Sequence, residues 1–451
     1  MNQIKNSLMG YRLRRYLCLT GLLVVVLQAS QAKNTFDVVK NGEEGDSLER
    51  HNPLLDIPHF NKIRKYSKFS FNRGKENEQV DSVFTPSIHV GAIVHMYASA
   101  QQDGFAIPHT APEPNAWGKG FSLYRARVLV GGQLSRKGSF FMETDLPTVI
   151  GVGNTDGTKN VKVSPIILDA QYQHDFSNAF QLIVGKQLVS NNRNGLQGAG
   201  ALLANDFSYF QYPYNMFEDS PLQGNFGRDL GVNTRGFLFK DKLEYRLGAF
   251  TGRIVDGKDP LRFVGRLAYN FFETDKDYYY AGTNLGTRRL LTWAVGYDQQ
   301  GSYQNYSSDL FVDYPLSDQG AVTLSAAFQY MTGGTSTGTH SFAALIPAQT
   351  VQFLELGYYF KQARLQPWIK FENNQISADA TQTGGVAPAR FDKLQSGSVF
   401  GGGLNYFFND IGTNLRLSYI TRTYNVENEA TSTFDKRTYG QCWLQLQFFI
   451  F

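Results

Sequence analysis

The stretch "SIHVGAIVHMYASA", residues 87–100, decides the fold. Ile88, Val90, Ala92, Val94, Met96 and Ala98 fall on one side of an extended chain, and His89, Gly91, His95 and Tyr97 on the other. A period of two is the signature of a β-strand with one apolar and one mixed face. Fourteen residues of it exceed what most soluble sheets use, where strands run to about 5–6 residues.

The same alternation recurs to the last residue. "FSLYRARVLVGGQL" turns at "SRKG" into "SFFMETDL"; "PIILDAQYQH" turns at "DFSN" into "AFQLIVGKQL"; "DLGVNTRGFLF" turns at "KDK" into "LEYRLGAFTGR". Polar connections separate these hairpins, the longest running from about 190 to about 228. Farther on, "LRFVGRLAYNFF" leads through a longer turn carrying "ETDKD" (residues 273–277) into "RLLTWAVGYDQQ", and alternating segments continue to "RTYGQCWLQLQFFIF". The count predicts an all-β chain of about 16 strands: a transmembrane antiparallel β-barrel with short periplasmic turns and long extracellular loops.

Composition and the two ends agree with a barrel. Aromatics make up 14% of the 451 residues, with 35 Phe, 25 Tyr and 44 Gly against only 15 Pro. The 43 basic and 39 acidic residues leave a net charge of +4, too balanced to single out nucleic acid as a partner. Lys5, Arg12, Arg14 and Arg15 precede "LCLTGLLVVVLQ" and the small-residue site "ASQA". Residues 1–32 therefore read as a secretory signal peptide, the apolar run falling short of the ~20 residues of a membrane helix. Its removal leaves Cys442 as the sole cysteine, so an intramolecular disulfide is excluded. Residues 33–82 are charged and aperiodic, a polar tail or a plug, and 83–451 form the barrel. The chain stops on Phe451, with Leu444, Leu446, Phe448 and Ile450 on one face. A closing strand accounts for such an end, since pairing with the first strand leaves no free edge.

Charge inside apolar strands points to a lumen, because Arg or Lys facing hydrocarbon at the midplane costs ~2–4 kcal/mol. Arg125 and Arg127 alternate with Tyr124, Ala126 and Val128, and the next strand offers Phe141, Glu143 and Asp145. These charges either brace the wall by pairing across strands or contribute to a conductive field. Arg235, Arg246, Arg262 and Arg266 lie on three successive strands and can project inward from one sector, where clustered cations sort solutes by charge. Lys370 is a further pore-lining candidate, while Asp229, Glu244, Asp298, Asp309, Asp313, Glu355 and Glu372 share the lumen parity, so the sign of selectivity stays open. The 189–228 stretch carries Arg193, Asp206, Glu218 and Asp219 among Tyr209, Tyr212 and Tyr214. A connection of that length is seldom idle; it either folds inward as a constriction or covers the barrel mouth.

Enzymatic chemistry finds no support. His89 and His95 sit six residues apart on one strand, about 20 Å at ~3.4 Å per residue, too far to share a metal. No HExxH, CxxC or Ser, His and acid constellation stands out, and neither a cofactor nor a metal is expected.

"FSLYRARVLVGGQLSRKGSFFMETDL", "LIVGKQL", "FGRDLGVNTRGFL", "LEYRLGAFTGR", "QPWIKFE" and the terminal Phe451 together resemble the phosphate-selective porin O and P family of Gram-negative outer membranes. The similarity runs from about residue 87 to the end with the motifs in family order. It implies a 16-stranded barrel, a homotrimer, an inward third loop and a location in the cell outer membrane. It also implies that Phe451 is the signal offered to the barrel assembly machinery. The expected function is passive diffusion of small hydrophilic solutes or ions, with an anion, phosphate-like, preference. The alternatives are a plugged barrel carrying hydrophobic substrates and a non-conducting adhesin or scaffold.

Overall fold

The computed structural model describes residues 84–102, 117–145, 165–189, 191–211, 227–252, 260–332, 348–376, 396–428 and 433–451. The expected signal peptide and the 33–82 segment lie outside them, as do the loop candidates Tyr212, Tyr214, Glu218 and Asp219.

Sixteen strands form, as the alternation predicts. They are β1 (Ser87–Gln102), β2 (Trp117–Gln133), β3 (Gly138–Asp145), β4 (Ile166–Ser177), β5 (Phe180–Leu188) and β6 (Arg228–Leu238). Next come β7 (Leu243–Phe250), β8 (Arg262–Asn270), β9 (Leu290–Gln300), β10 (Tyr303–Ser317) and β11 (Gly320–Met331). The last five are β12 (Gln349–Phe360), β13 (Leu365–Ile376), β14 (Gly397–Asn409), β15 (Thr413–Asn428) and β16 (Thr433–Ile450). Each pairs antiparallel with its sequence neighbours, and β1 closes on β16 with Ala92 opposite Ile450 and Gln101 opposite Gln441. Closure satisfies every ladder within the wall, the condition for crossing a bilayer with strands.

The pleat sorts side chains to two solvents. Val128, Val232, Leu267, Val295, Leu356, Ile369, Phe400, Leu417 and Leu444 point outward and are exposed, giving the apolar outer face of a transmembrane barrel. Their neighbours along each strand point inward and are buried, polar ones such as Gln171, Asn233, Gln366 and Asn405 among them. One bulge alters the expected parity. Between His95 and Met96 the β1–β2 register shifts, so that Arg125 pairs with His95 but Leu123 with Met96. The extra residue is Tyr124, which turns inward beside Arg125 instead of outward with Ala126.

Connections at the end of the barrel holding β2–β3, β4–β5, β6–β7, β10–β11, β12–β13 and β14–β15 are tight, with two to four residues between strands. The β8–β9 connection, residues 271–289, sits at that same end and is not a turn: it enters the lumen. At the opposite end the connections are mostly long, but β9–β10 has only Gly301 and Ser302 between its strands.

The wall also has an apolar interior. One cluster gathers Ile93, Leu129, Phe141, Ile183, Leu188 and Phe449 from the wall with Leu196 and Tyr278, Tyr279 and Tyr280 from the inserted segments. A second joins Leu203, Ala204 and Phe210 to wall residues including Met331, Val351, Trp368 and Ile420. Phe451 faces inward at the first cluster, its ring 5.7 Å from that of Phe141. Room for it comes from Gly91, where a Cβ would collide with the Ile450 carbonyl and the Phe451 ring.

Candidate functional site

Two chain segments occupy the lumen, and the inward charges of the wall hold them there. The first, 189–211, leaves β5 and runs past β9 and β10 toward β1 and β13. Its backbone is irregular, so its buried carbonyls need donors from outside the segment. Wall side chains provide them. Ser307 Oγ donates to Asn191 O at 2.7 Å, Gln447 Nε2 to Gly200 O at 2.7 Å and Asn405 Nδ2 to Leu203 O at 2.8 Å. Arg416 donates to Leu202 O and Ala204 O at 2.9 and 3.0 Å, and Lys370 to Phe207 O at 2.8 Å. The segment lies flush against β9 because residue 296 is Gly; a Cβ there would overlap the Asn191 carbonyl.

Three of the expected constriction residues are fixed in this segment. Arg193 is fully buried, its guanidinium 3.6 Å from the centre of the Phe311 ring and 4.3 Å from that of Tyr280, and it donates to Asp275 at 2.8 Å. Asp206 accepts from Arg125 Nη2 at 2.6 Å and from the Tyr124 hydroxyl at 2.7 Å. Burial would raise its pKa, but the Arg125 guanidinium and these hydrogen bonds outweigh that and hold the carboxyl below its usual range. Tyr209 donates its backbone N–H to Glu372, 2.9 Å from Oε2, and the Ser208 hydroxyl donates to the same oxygen.

The second segment, 271–289, is seated by the Arg cluster. Arg246 Nη1 donates to Tyr278 O at 3.1 Å and Arg235 Nη2 to Asp277 O at 2.9 Å. The Tyr280 hydroxyl donates to Glu244 at 2.6 Å, and Tyr278 donates to Gln187 at 2.9 Å. At mid-lumen the two segments meet in a parallel bridge between Gln197 and Tyr280. There Tyr280 N donates to Leu196 O at 2.9 Å, Gly198 N to Tyr280 O at 3.0 Å and Gly282 N to Ala201 O at 2.8 Å.

Other inward cations are matched by carboxylates on the adjacent strand or on their own. Arg127 contacts Glu143 and Asp145, both at 2.8 Å. Arg235 and Arg246 share Glu244 at 2.7 and 2.8 Å. Arg262 pairs with Asp298 at 2.6 Å and Arg266 with Asp309. Lys370 lies 3.0 Å from Glu372 and 3.5 Å from Glu355. All are nearly inaccessible to water, so the attraction is weakly screened and each ion offsets its partner's desolvation. The geometry is that of bracing pairs; a row of unopposed cations across β6, β7 and β8 is not present.

Several participants do not stand out in the sequence. Arg228 bridges Glu143 and Asp169 at 3.2 and 3.1 Å, but it opens its strand and Asp169 follows a bulge at Leu168, so neither shows a clean alternation. Arg416, between Leu415 and Leu417, carried the same signal as Arg246. It makes no ion pair among the described residues. Asp275 and the Tyr278–Tyr280 run sit in the connection whose reading was a longer turn; its length against its neighbours at the same end is the clue.

No protein-family model matches the chain, and no curated relative does. Among solved structures it is similar to the outer-membrane channel DcaP of Acinetobacter baumannii, with 11% identity, a TM-score of 0.49, and coverage of 80% of this chain and 97% of that one. The anion-selective porin from Comamonas acidovorans gives 9% identity and a TM-score of 0.49 over 81% and 100% of the two chains. OmpF of Salmonella typhi, in complex with daunomycin, gives 13% and 0.48 over 80% and 97%. At these identities and scores the likeness fixes neither solute nor selectivity.

Proposed function

We infer that the protein is an outer-membrane porin, a diffusion channel for small hydrophilic solutes, narrowed at mid-height by its own inserted segments. The observation that carries this reading is the sorting of the wall: apolar outside on closed strands, and inside a charged and amide-rich surface with no reason to exist unless it meets water and polar solutes. Export through the 1–32 signal and recognition of Phe451 by the assembly machinery belong to the same reading, supported by the sequence pattern, as does homotrimer assembly, supported by the resemblance to the porin O and P family.

Selectivity follows from the pairing. Arg235, Arg246, Arg262 and Arg266 each face a carboxylate, so the cluster's net field is small. The resemblance to the phosphate-selective porin O and P family supports an anion preference, and Arg416 is an inward cation without an ion pair among the described residues, the Glu355 charge acting on it from beyond contact distance. The expected preference for anions is therefore weak. A plugged barrel for less polar substrates is the second reading, favoured by the apolar clusters that the inserted segments complete inside the wall.

Single-channel recording of purified, refolded protein in a planar bilayer under a salt gradient tests the proposal. Stepwise conductance with a reversal potential slightly toward the anion side supports it. Silence from folded protein refutes the diffusion channel and leaves the plugged barrel.

A further inference from the structure

We propose that Trp443, Tyr124, Phe207 and Tyr209 form an aromatic shelf in the lumen on which a sugar ring binds in passage. The proposal rests on reading the barrel as a channel and names a solute class for it.

The inserted segments do not cover the wall evenly. On β8, β10, β12 and β13 the inward charges Arg266, Asp309, Glu355, Lys370 and Glu372 are at most 4% exposed. Where β15, β16, β1 and β2 meet, Tyr124 and Trp443 of the wall, Phe207 and Tyr209 of the first segment, and Asp206 and Arg422 beside them keep surface open to water. Register explains the opening at Trp443. Its partners across the ladder are Ser418 on β15 and Ser99 on β1, and Ser99 in turn faces Gly120 on β2. Three small neighbours in one row leave the indole uncrowded from either side.

The rings make one surface. Trp443 lies 5.6 Å from Tyr124, and Tyr97 packs against both at 4.6 and 5.1 Å. The Arg125 guanidinium spans Tyr124 and Phe207, 4.7 and 5.4 Å from their centres, and that of Arg422 lies 5.8 Å from the centre of Tyr209. Hydroxyls pin the rings in place. Tyr124 donates to Asp206 at 2.7 Å, and Tyr209 donates at 3.4 Å to Gln441, whose amide donates to Gln101 at 2.6 Å. Rings fixed in advance lose little freedom when a solute settles on them.

Aromatic surface flanked by a few polar groups suits a solute that is apolar on its faces and polar at its rim. A sugar is such a solute. Its C–H groups pack on the rings, and its hydroxyls, which both donate and accept, match the Asp206 carboxylate on one side and the Arg422 guanidinium on the other. An inorganic anion gains less, since Asp206 brings a carboxylate to the same surface and Arg125 is already paired with it at 2.6 Å.

The test adds maltotriose to the full-length channel in planar bilayers and compares wild type with Trp443→Leu, with the heat-dependent gel mobility of the barrel as the control for folding. The shelf predicts a saturable fall in the wild-type current and a several-fold higher half-blocking concentration in Trp443→Leu. A fall equal in both proteins, whether saturable or only following the bulk conductivity of the sugar solution, overturns the shelf and leaves the channel standing. Saturable block by benzoate without block by maltotriose overturns it in favour of aromatic acids. Should Trp443→Leu fail to fold, Arg422→Gln takes its place with the same expectation. If wild type does not conduct, the channel reading falls and fluorescence titration with maltotriose in detergent decides the shelf alone. A saturable change that the variant abolishes supports the site; no change, or one shared by the variant, overturns it.

Discussion

The two inserted segments are held by the same kinds of contact, arranged differently. Residues 189–211 are held mainly by their backbone, with amides, hydroxyls and cations of the wall donating to successive carbonyls from Asn191 to Phe207. Residues 271–289 receive bonds of the same kind, Arg235 and Arg246 donating to the Asp277 and Tyr278 carbonyls, but these donors and the Tyr280 hydroxyl all converge on one carboxylate, Glu244. A backbone stitched at many points comes away only if many bonds fail together. A segment whose wall donors converge on one carboxylate depends more on a single side chain. The first segment thus reads as held by many separate donors, and the second as centred on Glu244.

The largest effect that would break this contrast is at Glu244. It accepts from Arg235, Arg246 and the Tyr280 hydroxyl, so Glu244→Ala leaves two buried guanidiniums without their carboxylate. Truncating one side of a buried ion pair costs about 3–5 kcal/mol, and urea unfolding of the detergent-solubilised barrel should show a loss of that size. A loss under 1 kcal/mol would mean that charge does not seat the second segment.

Arg416→Met sharpens the other side of the comparison. It removes two of several stitches to the first segment, leaving the Leu202 and Ala204 carbonyls without these donors, for a cost of about 1–3 kcal/mol. Because the stitches are many, conductance should stay near the wild-type value while the reversal potential moves toward cations. A large conductance rise would show that the first segment depends on a single side chain after all.

The smallest effect concerns Asp277. Burial raises its pKa first, the neighbouring Asp275 charge raises it further, and Arg288 and Arg235 oppose both without prevailing, leaving it at about 6. A carboxyl whose folded pKa lies above its unfolded value of ~3.9 costs stability in full above pH 6, and the cost fades as pH falls toward 4. Asp277→Asn should therefore stabilise the barrel at pH 8 by on the order of 1 kcal/mol, and the gain should be smaller at pH 5. Equal stabilisation at both values would show that the charge on Asp277 carries no penalty.

These contrasts also explain what could be read in the sequence. Alternation is local, so each strand was legible from its own residues, and closure followed from the count and from the apolar end at Phe451. The inward parity of Arg127, Glu143 and the Arg235–Arg266 group was legible for the same reason. Which carboxylate each cation meets was not, because pairs such as Arg127–Glu143 and Arg266–Asp309 depend on register between strands. Tyr124 was misread because a bulge adds one residue and reverses the alternation at that point alone. The second segment escaped notice because nineteen residues are ordinary for a barrel loop. They become conspicuous only when assigned to the end where the other connections are two to four residues long.

The central claim, that two segments entering from opposite ends meet at mid-lumen, is tested most directly by cross-linking them. Gln197→Cys with Tyr280→Cys, in a Cys442→Ser background, places two thiols at the bridge pair, within the span a disulfide requires. The account predicts that mild oxidation of the folded barrel joins them within one chain, seen as a change in gel mobility of the denatured protein that dithiothreitol reverses. Folded protein in which both thiols remain free to react with maleimide after oxidation would contradict it.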